Sequence, residues 1–87
     1  MKSILVTGAT RGVGEALTLK FAQKGHVIYA LARTRSQLNS LIEKCGVDKV
    51  IPFEVDVSKK EQVEEATTAI EREYGTPDVL INNAGIV

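Results

Sequence analysis

Short apolar runs punctuate the chain, and amphipathic stretches separate them. Ile4-Leu5-Val6, Val27 to Ala32 and Val79-Leu80-Ile81 are apolar without alternation, the pattern of strands buried on both faces of a parallel sheet. Lys49 to Val55 reads as a further strand, and Pro52 within it favours an edge position because proline cannot donate to a ladder. Between the first two runs, Val13, Leu17 and Phe21 recur at every fourth residue with Ala16 beside them. This predicts a helix from Val13 to about Lys24 that turns that stripe to the core and stops at Gly25. Thr34 stands three residues before Gln37, the spacing of a capping box, and Leu38, Leu41, Ile42 and Cys45 follow at helical intervals up to Gly46. Ser58 and Glu61 repeat the capping signature. Val63, Ala66, Ile70 and Tyr74 then line one helical face, which Gly75 and Pro77 close.

Strands and helices therefore alternate β-α-β-α-β-α-β with short connections. That order predicts an α/β fold: a three-layer, Rossmann-like parallel sheet with right-handed crossovers and helices on both faces. It accounts for one mononucleotide-binding half of a doubly wound fold plus one more strand, so the fold is expected to be truncated. Repeats, low-complexity tracts and linkers are absent from the sequence, and residues 1–87 are expected to form one domain.

Composition narrows the class. Hydrophobic residues make up 44% and charged residues 25% of the 87, ordinary for a soluble globular chain and unlike a disordered one. Eleven basic and eleven acidic side chains cancel, so no net field favours nucleic acid or an anionic membrane. No apolar run approaches the roughly 20 residues that span a bilayer. The opening Met1-Lys2-Ser3 enters a strand at once, which leaves no expected signal peptide, and the single Cys45 suits a reducing compartment. The expected setting is cytoplasmic.

Candidate chemistry concentrates in Thr7-Gly8-Ala9-Thr10-Arg11-Gly12-Val13-Gly14, between the first strand and the first helix. Strand, glycine turn and helix together present free backbone N–H groups and a positive helix end to a phosphate. The spacing is G-x-x-x-G-x-G; matched to the commoner G-x-G-x-x-G it would put Leu17 where the third small residue belongs. Gly8 is expected to permit the turn, and Gly12 and Gly14 to remove side chains where backbone and pyrophosphate approach.

Folds that bind NAD place an acid about 20 residues after the glycines, at the end of the second strand, to hold the ribose hydroxyls. Here that strand ends Ala32-Arg33, and Arg11 in the glycine loop can approach the same point. Two guanidiniums and no acid point to NADP(H) over NAD(H), whereas Arg35 reads as a solvated charge. Asp56 follows the third strand, where it can serve either as a turn former or as an adenine contact. His26 has no ligand cluster around it and reads as structural or exposed, and Cys45 as core.

Taken together, Thr7-Gly8-x-x-x-Gly12-x-Gly14, Asp56-Val57 and Asn82-Asn83-Ala84-Gly85 resemble the short-chain dehydrogenase/reductase family over the whole chain. The resemblance implies that Gly8, Gly12 and Gly14 shape the cofactor loop, and that Asp56 bonds the adenine amino group beside the Val57 backbone. It also matches Arg11 and Arg33 to the basic positions of NADP-preferring members. Asn82 and Asn83 would tie the central strands together where the chain passes the cofactor ribose. The candidate cofactor-binding residues are Thr7, Gly8, Thr10, Arg11, Gly12, Val13, Gly14, Arg33, Thr34, Asp56, Val57, Asn83, Ala84 and Gly85.

The family continues through a catalytic Asn, a Ser and a Tyr-x-x-x-Lys pair. Here the residues four beyond Tyr29 and Tyr74 are Arg33 and Asp78, so the chain by itself is expected to be inactive. The alternative is a non-catalytic nucleotide-binding or protein-interaction module. The fourth strand is expected beside the first with its outer edge apolar and unpaired, and that edge, or exchanged elements, is expected to join copies into a homodimer or larger assembly.

Overall fold

The computed structural model describes residues 1–83. Strand β1 (Ser3–Thr7), helix α1 (Gly12–Gln23), β2 (Val27–Ala32), α2 (Arg35–Cys45), β3 (Val50–Glu54), α3 (Lys60–Tyr74) and β4 (Val79–Asn82) follow in the expected order. The strands form one parallel sheet in the order β3-β2-β1-β4. Pro52 lies on the edge strand β3, opposite Ala30. Register places Thr7 between Leu31 and Asn82, so the strands' carboxyl ends share one edge of the sheet.

Successive strand residues face opposite sides, which splits the interior into two cores. Ile4, Val6, Ile28, Ala30 and Val50 pack with Ala22 of α1 and with Leu38 and Leu41 of α2. Leu5, Tyr29 and Leu31 face the other way, onto Ala66 and Ile70 of α3. The sheet is thus sandwiched between helices, and this is why its central strands read as unbroken apolar runs.

Helix α1 corrects the sequence reading. Its buried positions are Gly14, Thr18 and Ala22, whereas Val13 is 64% exposed and Ala16 faces solvent. The helix is turned by about one residue, roughly 100°, from the stripe of large side chains. Small residues on the sheet side bring the helix close to β1. Thr18 is fully buried and satisfies its hydroxyl by donating to the Gly14 carbonyl at 2.8 Å.

Neither expected capping box forms. Thr34 is the N-cap of α2, but its side chain makes no capping bond. The N-cap of α3 is Lys59, one residue beyond Ser58. Gly46 and Gly75 close α2 and α3 as anticipated.

Polar ties fix the amino-terminal edge of the sheet. The Asp78 carboxylate accepts from the Ser3 N–H at 2.8 Å and from its hydroxyl at 3.2 Å, joining β4 to β1. These bonds hold the Asp78 carboxyl below its ordinary range. His26 Nδ1 accepts the Lys2 N–H at 3.0 Å, a structural role. Lys44 reaches Glu15 at 3.3 Å and links α2 to α1. Among the described residues no strand pairs with the outer edge of β4, where Val79 is 37% and Leu80 66% exposed.

Candidate functional site

The carboxyl ends of β1, β2 and β3 open on a cleft of about 810 Å³, within the range of roughly 300–1,000 Å³ usual for small-molecule sites. The β1–α1 loop forms one wall. Gly8 and Gly12 adopt φ values of 65° and 48°, left-handed conformations that cost residues with a Cβ about 1–2 kcal/mol. A Cβ on Gly12 would meet nothing within 4 Å, so the space in front of it is open. Arg11 is the N-cap of α1 in extended conformation and provides no side-chain cap. Among the described residues no side chain therefore caps the first-turn N–H groups at the positive end of α1.

Gly14 does something different from what its place in the motif suggested. It is buried behind the loop, and a Cβ there would collide with the Gly8 carbonyl oxygen and lie 2.8 Å from Asn83 Nδ2. Its small size permits helix and strand to meet, and it does not border the cleft.

The loop is held from beneath. The Thr7 hydroxyl donates to Asn82 Oδ1 at 3.1 Å and accepts the Asn83 N–H at 2.9 Å. Asn83 Nδ2 donates to the Gly8 carbonyl at 3.4 Å, and the Ala9 N–H donates to the Leu31 carbonyl at 3.3 Å. Residues from three strands thus fix where the glycine turn lies.

Arg33 follows β2 and lines the cleft together with Arg11; both are exposed. Neither takes part in an ion pair among the described residues. Arg35, by contrast, is engaged with Glu54 at 3.4 Å. The carboxylate on this rim is Asp56, whose Oδ1 accepts both the Ser58 hydroxyl at 2.7 Å and the Ser58 N–H at 3.0 Å. Chiefly these bonds, with a smaller pull from Arg33, hold its carboxyl below the ordinary range. The Asp56 N–H donates to Gln62 Oε1 at 2.8 Å. Asp56 is therefore a turn former, and its second carboxylate oxygen accepts no hydrogen bond among the described residues.

Of the candidate residues, Gly8, Thr10, Arg11, Gly12, Val13, Arg33, Thr34, Asp56, Val57 and Asn83 line the cleft. Thr7 and Gly14 support it from behind, and Ala84 and Gly85 lie outside the described residues. Leu31, Ala32 and Val55, which floor the cleft, were not among the candidate site residues, and Gln37 and Ser58 were read only as capping residues. The strand-end residues were recoverable in principle, since parallel sheets of this type bind at their carboxyl edge. The cleft thus combines glycine-loop backbone and two guanidiniums with a small apolar floor. No cluster of metal-ligating side chains occurs among the described residues.

Residues 2–87 match the short chain dehydrogenase family. The chain belongs to that family. It is 40% identical over 87 residues to a 3-oxoacyl-[acyl-carrier-protein] reductase of Thermotoga maritima, covering 98% of this chain and 35% of the relative. It is 37% identical over 83 residues to an NADP-dependent 3-hydroxy acid dehydrogenase of Shigella flexneri, covering 95% and 33%. Among solved structures it resembles L-sorbose reductase from Gluconobacter frateurii complexed with NADPH and L-sorbose. The TM-score is 0.82 at 36% identity, with 97% of this chain and 33% of that one covered. The chain spans about a third of the length of the curated relatives it matches. Within the short chain dehydrogenase family it carries the N-terminal part of the pattern, and no helix among the described residues is long and apolar enough to cross a membrane.

Proposed function

We propose that this chain is the NADP(H)-binding part of an oxidoreductase that moves a hydride between nicotinamide and a carbonyl or alcohol. The observation that carries the reading is the pair Arg11 and Arg33 on one cleft, outside any ion pair among the described residues, where an NAD site would hold an acid. Gly8, Gly12 and the α1 N-terminus would receive the pyrophosphate, with Arg11, Arg33 and Thr34 at an added ribose phosphate. Asp56, through its second carboxylate oxygen, and Val57 would meet the adenine. The NADP dependence and bound NADPH of the relatives support the choice. The bound dinucleotide would supply the hydride.

The chain's own part is to bind and orient. Among the described residues no Tyr, Lys, His or Cys lines the cleft. Tyr29 is 3% exposed and packs against Tyr74 at 5.4 Å in the α3-side core, where burial raises its pKa. On this reading proton transfer at a substrate falls to residues outside these 87, and the chain alone is expected to be inactive. A cytoplasmic setting belongs to the same reading, supported by a single, partly buried thiol at Cys45. So does self-association of the isolated chain through β4, supported by the exposure of Leu80.

Titration of the chain with NADPH, followed by nicotinamide fluorescence, tests the proposal. Saturable binding is expected, with no NADPH consumed when ketones or aldehydes are added. Absence of saturable binding overturns it.

A further inference from the structure

The resemblance that identifies the glycine loop and Arg33 says nothing about Gln37. Its side chain lines the same cleft as Arg11, Arg33 and Thr34, one turn into α2. Gln37 stands at the third helical position, where the capping-box pattern would have it reach back to the Thr34 N–H. It does not. Its Oε1 instead accepts the Thr10 hydroxyl across the cleft at 3.1 Å. That bond joins the first turn of α2 to the loop residue directly before Arg11.

An amide has two ends of opposite character. With Oε1 committed to Thr10, the donor end, Nε2, makes no hydrogen bond among the described residues. Both guanidiniums and this amide line the same cleft, and each brings only N–H donors to it.

We infer that Gln37 is a specificity-determining residue for the phosphorylated ribose: Oε1 latches the Thr10–Arg11 loop to α2, while Nε2 donates to the ribose phosphate between Arg11 and Arg33. The inference rests on the proposed NADP(H) site and adds a residue to it. Gln37 acts on NADP(H) and leaves NAD(H) nearly untouched, because the unphosphorylated ribose presents no anion there. Thr10 acts through Gln37 and is a positioning residue.

The test is titration of the chain with NADPH and with NADH for the wild type, Q37M, Q37E and T10V. Q37M keeps the length of the side chain but loses both polar ends. It should weaken NADPH about tenfold, the equivalent of one hydrogen bond to a charged group, and change NADH by less than about twofold. Q37E keeps an acceptor for Thr10 and replaces the donor with a negative charge. It should therefore weaken NADPH more than Q37M does. T10V, which frees the loop but spares Nε2, should fall between wild type and Q37M. N39M, on an exposed position of the same helix, should match the wild type. Equal NADPH affinity in wild type and Q37M, with NADPH bound by both, overturns this inference alone. Equal losses for NADPH and NADH in Q37M also overturn it. A wild-type chain that does not bind NADPH overturns the underlying site as well.

Discussion

Replacing Gly14 with alanine sets one methyl group against backbone that cannot step aside. The new Cβ would collide with the Gly8 carbonyl oxygen, lie 3.0 Å from the Gly8 carbonyl carbon, and lie 2.8 Å from Asn83 Nδ2. Asn83 could swing away, but only by giving up its bond to the Gly8 carbonyl. Gly8 is itself held, since the loop is pinned by Ala9 to the Leu31 carbonyl and Thr7 is fastened to Asn82 and Asn83. Helix α1 must therefore move away from β1, loosening Thr18 and Ala22, which are 0% and 7% exposed. Overpacking a tight interior costs about 1–3 kcal/mol, and contact with fixed backbone belongs at the upper end. Alanine recovers about 1 kcal/mol through its helix propensity. The net loss is about 2 kcal/mol, which for a domain of this size lowers Tm by about 8–16 °C.

Gly12→Ala is the matched control, because its Cβ meets nothing within 4 Å. Its cost is the left-handed φ alone, about 1–2 kcal/mol, with no steric contact added. Urea and thermal unfolding followed by circular dichroism should order the proteins wild type, then G12A, then G14A. Cofactor affinity should fall in G12A even where the protein remains folded, because the new methyl group enters the space left for phosphate. A G14A chain with the wild-type midpoint would refute the close-approach argument.

Three further expectations follow from particular contacts. Asp78 is held below its ordinary pKa by Ser3, so its stabilising contribution is complete above the unfolded carboxylate pKa and is lost as pH falls through the lower folded value. D78N should therefore unfold at lower urea than the wild type at pH 7, and the gap should close in acid, as read from urea midpoints across pH. Leu80→Lys puts a charge on the exposed edge of β4, where the side chain is 66% exposed. It should shift the isolated chain toward monomer in sedimentation velocity with little change in Tm; an unchanged distribution counts against assembly through that edge. Arg35→Ala removes a pair with Glu54 outside the cleft, so it should change stability by no more than about 1 kcal/mol and leave NADPH affinity as it is.

Strand order and element boundaries were readable because each apolar run is bounded by glycine or by polar turn residues, and because β-α alternation admits few topologies. The helix faces were less so. In α1 the large residues Val13 and Leu17 suggested the core stripe, but a helix lying this close to a sheet uses Gly14, Thr18 and Ala22 there. A hydrophobicity pattern does not register a contact face made of small residues. The capping signatures failed for a related reason: spacing shows which bonds a side chain can make, and tertiary neighbours decide which it makes. Gln37 is drawn to Thr10 and Ser58 to Asp56, and each exchange contributes a residue to the cleft. The placement of Arg11 and Arg33 on the cleft was legible because each lies in a connection that follows a strand, and in a parallel sheet those connections share one edge.

In the proposed function Arg11 and Arg33 make this cleft select a phosphorylated ribose. The direct measurement is the ratio of NADPH to NADH affinity in the wild type, R11A, R33A and the double variant, at fixed ionic strength. Each arginine–phosphate hydrogen bond contributes roughly 1.5–3 kcal/mol, so each single variant should lower the ratio by at least about tenfold through loss of NADPH affinity alone. A ratio that is unchanged in the double variant, or NADH bound as tightly as NADPH by the wild type, would contradict the account.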